Sequence, residues 1–261
     1  MPCAGSFPLV GEAEAQPGGR GIALVEAANA AGLRLRLIGG LAIRLLCDDY
    51  SARDPAEHDI DLASLSSDVA GLTELLEGSG FAADRQFNAL HGRRQLRFAS
   101  EDGEVAVDVM LDRLEMCHRL EFEDRIERLP LTLDVTDLLL SKLQIVELNE
   151  KDLRDVLHLL ADFPVRQGDV PETIGLDRIS EVVADDWGWW KTITSNLERI
   201  VQLAEADRNL GPADPRFDPL DQARALLEHA NEVPKSIRWR LRAKVGERVR
   251  WYELPEEVAE A

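Results

Sequence analysis

The spacing of the apolar residues changes once along this chain, and that change constrains the fold more than any other feature. From about Thr132 onward apolar side chains recur only at helical spacing. Leu138, Leu139, Leu143 and Val146 form one stripe with Lys142 inside it; Leu153, Val156, Leu157 and Leu160 form another that stops at Phe163-Pro164. Upstream, short runs alternate with a period of two, as half-buried strands do. Leu33, Leu35 and Leu37 alternate with Arg34 and Arg36, the segment HDIDLAS covers 58–64, and two more runs at 95–99 and 104–110 flank the turn-forming Ser100-Glu101-Asp102-Gly103. Strands first and helices afterwards predict an α+β protein, a small mixed β-sheet core with flanking helices followed by a helical C-terminal half. The expected divisions are a flexible tail at 1–20, a core at 21–130 and a helical domain at 131–261.

Helices are expected at 21–31, 41–46, 69–77, 150–161, 175–185, 187–206, 218–231 and 235–250, with Pro212 to Pro219 as a loop. All five tryptophans lie beyond residue 186, and Trp187, Trp189 and Trp190 read as core packing.

Charge narrows the function classes. Thirty Lys and Arg against 49 Asp and Glu give −19, which repels a phosphate backbone and argues against a protein that coats nucleic acid. Residues 235–250 depart from this, with seven basic residues against Glu247 alone; that segment is +6 and the rest of the chain −25. It reads either as a solvated helix face, with Ile237, Leu241, Val245 and Val249 as its apolar line, or as a surface that receives an RNA backbone such as a tRNA acceptor. No run approaches the roughly 20 apolar residues of a bilayer helix, so no membrane partner is expected. The first residues lack a basic n-region and carry Glu12 and Glu14, which predicts a cytoplasmic protein. Cys3, Cys47 and Cys117 form no CxxC pair and read as ordinary thiols.

Two carboxylates at i and i+2 on a strand, Asp59 and Asp61, share a face while Ile60 and Leu62 take the other. Their Cα atoms stand about 6 to 7 Å apart, within reach of two divalent cations about 3.5 to 4 Å apart. Asp108 supplies a third carboxylate on another strand, with Asp112 as its competitor. Hard oxygen ligands suit Mg²⁺ or Mn²⁺. Gly39-Gly40 sits at a strand-to-helix turn, where free backbone amides hold phosphate and missing side chains let it approach. Together these parts point to metal-assisted phosphoryl chemistry on a nucleotide. No GxxxxGK[ST] loop and no GxGxxG after a strand is present. The five histidines are scattered, and His58-Asp59 falls on a strand rather than on the helix of an HD-type phosphohydrolase.

The runs LIGGLAIRLL, DIDL, VAVDVM and LTLDVTDLLLSKLQIVELNEKDLRDVLHLL, in that order, resemble a nucleotidyltransferase of the DNA polymerase β superfamily, close to its AbiEii-type abortive-infection branch. The resemblance covers about 22–162. It implies transfer of a nucleoside monophosphate from an NTP to an acceptor, with Mg²⁺ or Mn²⁺ and release of pyrophosphate. By the same resemblance Gly39, Gly40 and Lys142 meet the nucleotide, Asp59, Asp61 and Asp108 ligate the metals, and Lys142 with Asp155, or Asp152 in its place, completes the site. It further implies a toxin with an antitoxin protein as partner. Glu57 stands where a Thr or Ser often precedes the carboxylate pair, and this departure motivates a second reading, a binding module that keeps the fold without turnover.

Overall fold

A computed structural model describes residues 17–47 and 59–253. Helix α1 (Pro17–Ala30) begins inside the segment read as a tail, and Gly32, at φ +74°, turns the chain into strand β1 (Leu35–Leu37). Helix α2 (Gly39–Leu46) follows at once, as the two glycines predict. Then come β2 (Asp59–Ser64), α3 (Val69–Gly78), β3 (Phe81–Ala83), α4 (Arg85–His91), β4 (Gln95–Ser100) and β5 (Ala106–Leu111). A small hairpin, β6 (Arg113–Glu115) and β7 (Arg119–Glu121), leads to the helical half. That half contains α5 (Val135–Leu143), α6 (Glu150–Asp162), the short pair β8 (Val165–Arg166) and β9 (Ile174–Gly175), α7 (Leu176–Asp185), α8 (Trp187–Ala206), α9 (Pro219–Glu232) and α10 (Ile237–Val245). The protein is therefore α+β.

Five strands form one mixed sheet in the order β1-β2-β5-β4-β3. β2 and β5 run parallel at its centre, and the other pairs are antiparallel. Period-two alternation decides what each face meets. Ile60, Leu62, Val107 and Val109 are buried, and α1 lies over that side, close enough that a side chain at Gly21 would press on Leu37 and Ile60. Asp59, Asp61 and Asp108 take the other face. One hydrophobic cluster runs from Leu24 to Val233 through both halves of the chain, so the helices share the core of the sheet instead of building their own. Trp187 and Trp189 are buried within the helical half.

Buried charges tie the two halves together. Arg125, in the segment after β7, bonds Asp137 (2.5 Å) and Asp134 (2.5 Å) at the start of α5, and Asp169 (2.6 Å) in the loop before β9. Arg178 of α7 reaches Asp137 from another side at 2.9 Å. Burial, with Asp137 alongside, raises the Asp134 carboxyl to about 6, whereas the Arg125 hydrogen bond holds Asp169 below the usual carboxylate range. Removing a single member of such a network strands its partners without water, which costs more than the network contributes.

The C-terminal end is a solvated helix, one of the two readings of its sequence, with its apolar line exposed as well. The line Ile237, Leu241, Val245 and Val249 does not seat its helix: all four are exposed, and no residue of α10 is buried. The helix is also shorter than 235–250, because Gly246 at φ +59° ends it and a 3₁₀ turn (Gly246–Arg248) follows.

Candidate active site

Parallel pairing of β2 with β5 sets Asp61 directly opposite Asp108. Neighbouring strands lie about 4.8 Å apart, so the two carboxylates rise side by side from one face. Asp59 is two residues earlier on the same face, exposed at the first position of β2. The preceding residues, which include Glu57 and His58, lie outside the described residues.

The Gly39 turn meets this pair. Gly39 has φ +66°, a left-handed conformation that side chains disfavour, and a Cβ there would stand 2.5 Å from Asp61 Oδ2. Backbone conformation and close approach therefore both require glycine. Ile38 N–H donates to the Asp61 carbonyl at 3.0 Å, fixing the turn against β2. Ile38 provides no side-chain cap for α2, and Gly40 is buried in its first turn.

Asp108 is held from its other side by residues that sequence reasoning passed over. Gln95 Nε2 and Arg97 Nε, both on β4, donate to Asp108 Oδ1 at 2.9 and 3.1 Å. Arg97 is the antiparallel partner of Asp108, and its guanidinium lies 4.3 Å above the Phe87 ring of α4. Both donors use the same oxygen, which fixes the orientation of the carboxylate. Asp112, the alternative to Asp108, is separated from this group: at φ +63° it leaves the strand, and its Oδ1 accepts from Ser66 N–H at 2.8 Å.

Lys142, Asp152 and Asp155 form a second group, between α5 and α6. Lys142 Nζ pairs with Asp152 Oδ1 and with Asp155 Oδ2, each at 2.8 Å. Both aspartates that sequence analysis left as alternatives thus share the lysine. All three side chains are buried, so Lys142 does not run out to water along its apolar stripe. Burial pushes the Asp155 carboxyl up to about 8, against the pull of the Lys142 ammonium 2.8 Å away. Helix α2 connects the two groups, with the Gly39 turn at its N-terminus and its body packed on α5 and α6.

The sheet-face carboxylates offer the hard oxygen donors and adjacent-strand placement that a divalent cation requires, and in that sense they fit one. Among the described residues, no three His, Cys, Asp or Glu side chains are already gathered around one coordination point. A separate cleft of about 750 Å³ opens between the β6–β7 hairpin and the junction of α7 with α8; none of Gly39, Asp59, Asp61, Asp108 or Lys142 lines it.

No known family model matches the sequence, and no functionally curated protein does. Among solved structures, the chain is similar to an antigenic nucleotidyltransferase-like protein from Paracoccidioides brasiliensis, at 16% identity over 78% of this chain and 94% of that one, with a TM-score of 0.40. It is also similar to an H. pylori protein provisionally assigned as a nucleotidyltransferase, at 13% identity over 90% of this chain and 99% of that one, with a TM-score of 0.36. At these scores neither likeness bears on what the chain does.

Proposed function

We propose that this protein is a metal-dependent nucleotidyltransferase that moves a nucleoside monophosphate from an NTP to an acceptor hydroxyl. The observation that carries the reading is the contact of the Gly39 turn with the Asp61 carboxylate, beside Asp108 in register on the neighbouring strand. A glycine turn without side chains gives a triphosphate close access to backbone amides, and the carboxylates next to it answer the cations a triphosphate carries.

In this reading Asp59, Asp61 and Asp108 hold Mg²⁺ or Mn²⁺, which when bound supplies positive charge to both the entering and the leaving oxygen. The Gly39-Gly40 turn orients the phosphates. Asp108, steered by Arg97 and Gln95 through one oxygen, presents the other to the acceptor and takes its proton. The acceptor oxygen forms its bond to the α-phosphorus as the bond to the β-phosphate oxygen breaks, and pyrophosphate leaves. Lys142, paired with Asp152 and Asp155, sets the floor beneath α2 and positions that helix. An RNA, a protein or a small molecule fits as the acceptor, and a toxin role with an antitoxin partner is the narrower version that the sequence resemblance implies. Among the described residues no helix is long and apolar enough to cross a membrane.

Transfer of label from each α-³²P NTP in Mg²⁺ tests the reading, with total RNA, the protein itself and small hydroxyl acceptors offered in turn. Wild type is expected to label one of them, and the Asp59→Asn/Asp61→Asn double variant to lose about a thousandfold in rate. Undiminished transfer by that variant would end the proposal. The ion pairs already made by Lys142 favour one other reading, a module that binds nucleotide without turning it over. Magnesium-dependent NTP binding with no labelled product would select it.

A further inference from the structure

We infer that α10 is a docking face for an acidic, amphipathic polypeptide segment, independently of the transferase reading. Four of the eight large apolar side chains exposed among the described residues, Ile237, Leu241, Val245 and Val249, fall within 13 residues; the other four are scattered singly. Ile237 is 72% and Leu241 59% exposed, values at which an isolated aliphatic side chain is ordinary but a line of three with Val245 is a patch. With 100° per residue, Ile237, Leu241 and Val245 occupy one sector of the helix, with Arg240 and Lys244 along one border and Arg238 along the other. All six are exposed.

The opposite side of the helix is what seats it. The Trp239 ring stands edge-on to Trp190 at 5.1 Å, Ser236 N–H donates to the Ala184 carbonyl at 2.9 Å, and the Arg242 guanidinium lies 4.7 Å over the Trp187 ring. The outward face is therefore not needed to hold α10 in place.

Its chemistry selects the occupant. An aliphatic line bordered by cations is matched by an aliphatic line bordered by carboxylates, the helix-in-groove mode of recognition. RNA is a poorer match, because Trp239 and Trp251, the side chains on which bases would stack, are turned inward; Trp251 packs edge-on against Trp187 at 5.8 Å and donates to Thr192 Oγ1. The aliphatic residues left outside gain nothing from phosphates. An anionic membrane surface would meet the −25 carried by the remaining chain. A second copy docking by two-fold symmetry would place Arg240 and Lys244 against the same residues of its mate.

The test is fluorescence anisotropy of the full chain with a labelled helical peptide of about 18 residues, whose leucine stripe is bordered by glutamates. A peptide of the same composition in permuted order, a single-stranded RNA and phosphatidylserine vesicles serve as the other probes. Saturable micromolar binding of the striped peptide is expected, weakened about tenfold or more by Ile237→Ser/Leu241→Ser and about threefold by Arg240→Gln/Lys244→Gln, with thermal stability unchanged in both variants. The proposal is overturned by absent binding, by equal binding of the permuted peptide, or by indifference to the serine variant. It is equally overturned if RNA or vesicles bind more tightly than the striped peptide with the same dependence on Leu241, or if the wild type is a dimer that the serine variant dissociates.

Discussion

On the β2–β5 face Asp61 and Asp108 keep partial contact with solvent, and Asp108 is steered through one oxygen by two donors. Lys142, Asp152 and Asp155 instead lie sealed between two helices. The first group keeps part of its hydration. The second group gives up its hydration, and its members pair with one another. Local structure explains the contrast. Period-two alternation lifts a charge off a sheet without disturbing the apolar residues beneath it, whereas a lysine inside an apolar helical stripe has no exit once a second helix covers it.

The largest effect that separates the two groups comes from Lys142→Met. It leaves two buried carboxyl groups without their cation and is expected to lower stability by about 3 to 5 kcal/mol in urea unfolding. Exchanging the whole cluster, as Lys142→Met/Asp152→Leu/Asp155→Leu, should restore most of that loss, because the stranded charges go with the lysine. If the triple variant is stable yet transfers no label, the sealed group belongs to the site; if it is both stable and active, the group is architecture alone. A single variant as stable as wild type would break the contrast altogether.

The sheet face is probed by a smaller effect. Arg97→Met keeps a side chain over Phe87 but removes a hydrogen bond to Asp108, so kcat should fall about 10- to 100-fold with KM nearly unchanged. Stability should move by less than about 1 kcal/mol, since this ion pair is partly exposed. Arg97→Lys, which keeps the charge, should recover part of the rate. A loss of rate that merely followed a loss of stability would make Arg97 a structural residue.

Most of this architecture is legible in the sequence because its signals are local. The glycine pair between β1 and α2, the alternation in β2 and β5, and the helical stripes of α5 and α6 each follow from a few neighbouring residues. The Arg97–Asp108 pairing is not legible there: a turn of Ser100–Gly103 would set Ala99 opposite Glu104 and Arg97 opposite Ala106, whereas the ladder runs on to Ser100, whose N–H donates to the Val105 carbonyl, and so sets Arg97 opposite Asp108. What was missed is short or tertiary. Strand β3 has three residues, too few for a period, and α4 announces itself only through Asp84, whose side chain caps Phe87 N–H at 2.9 Å. That Asp112 serves Ser66 depends on a contact 46 residues apart along the chain. At α10 the spacing of Ile237, Leu241 and Val245 tells that they share a face, but only the packing of Trp239 tells that this face looks outward.

The sealed group should also be visible in the pH dependence of stability. Asp155 titrates near 8 in the folded protein because burial disfavours its charge, against 3.8 for an unhindered aspartate. A carboxyl whose folded pKa is raised binds its proton more tightly in the native state. Its contribution is complete below about pH 4 and is lost as pH climbs toward 8, at up to about 1.4 kcal/mol per pH unit. Asp134, raised to about 6 by burial and by Asp137, adds the same sign over the lower part of that window. Asp155→Asn removes one of the two. Urea midpoints followed from pH 5 to 8 should therefore decline less steeply in the variant than in wild type, and the difference should persist above about pH 7, where Asp134 has largely finished titrating. Parallel curves would mean that Asp155 is already ionised beside Lys142, making the sealed group an ordinary ion pair and removing the electrostatic half of its contrast with the sheet face.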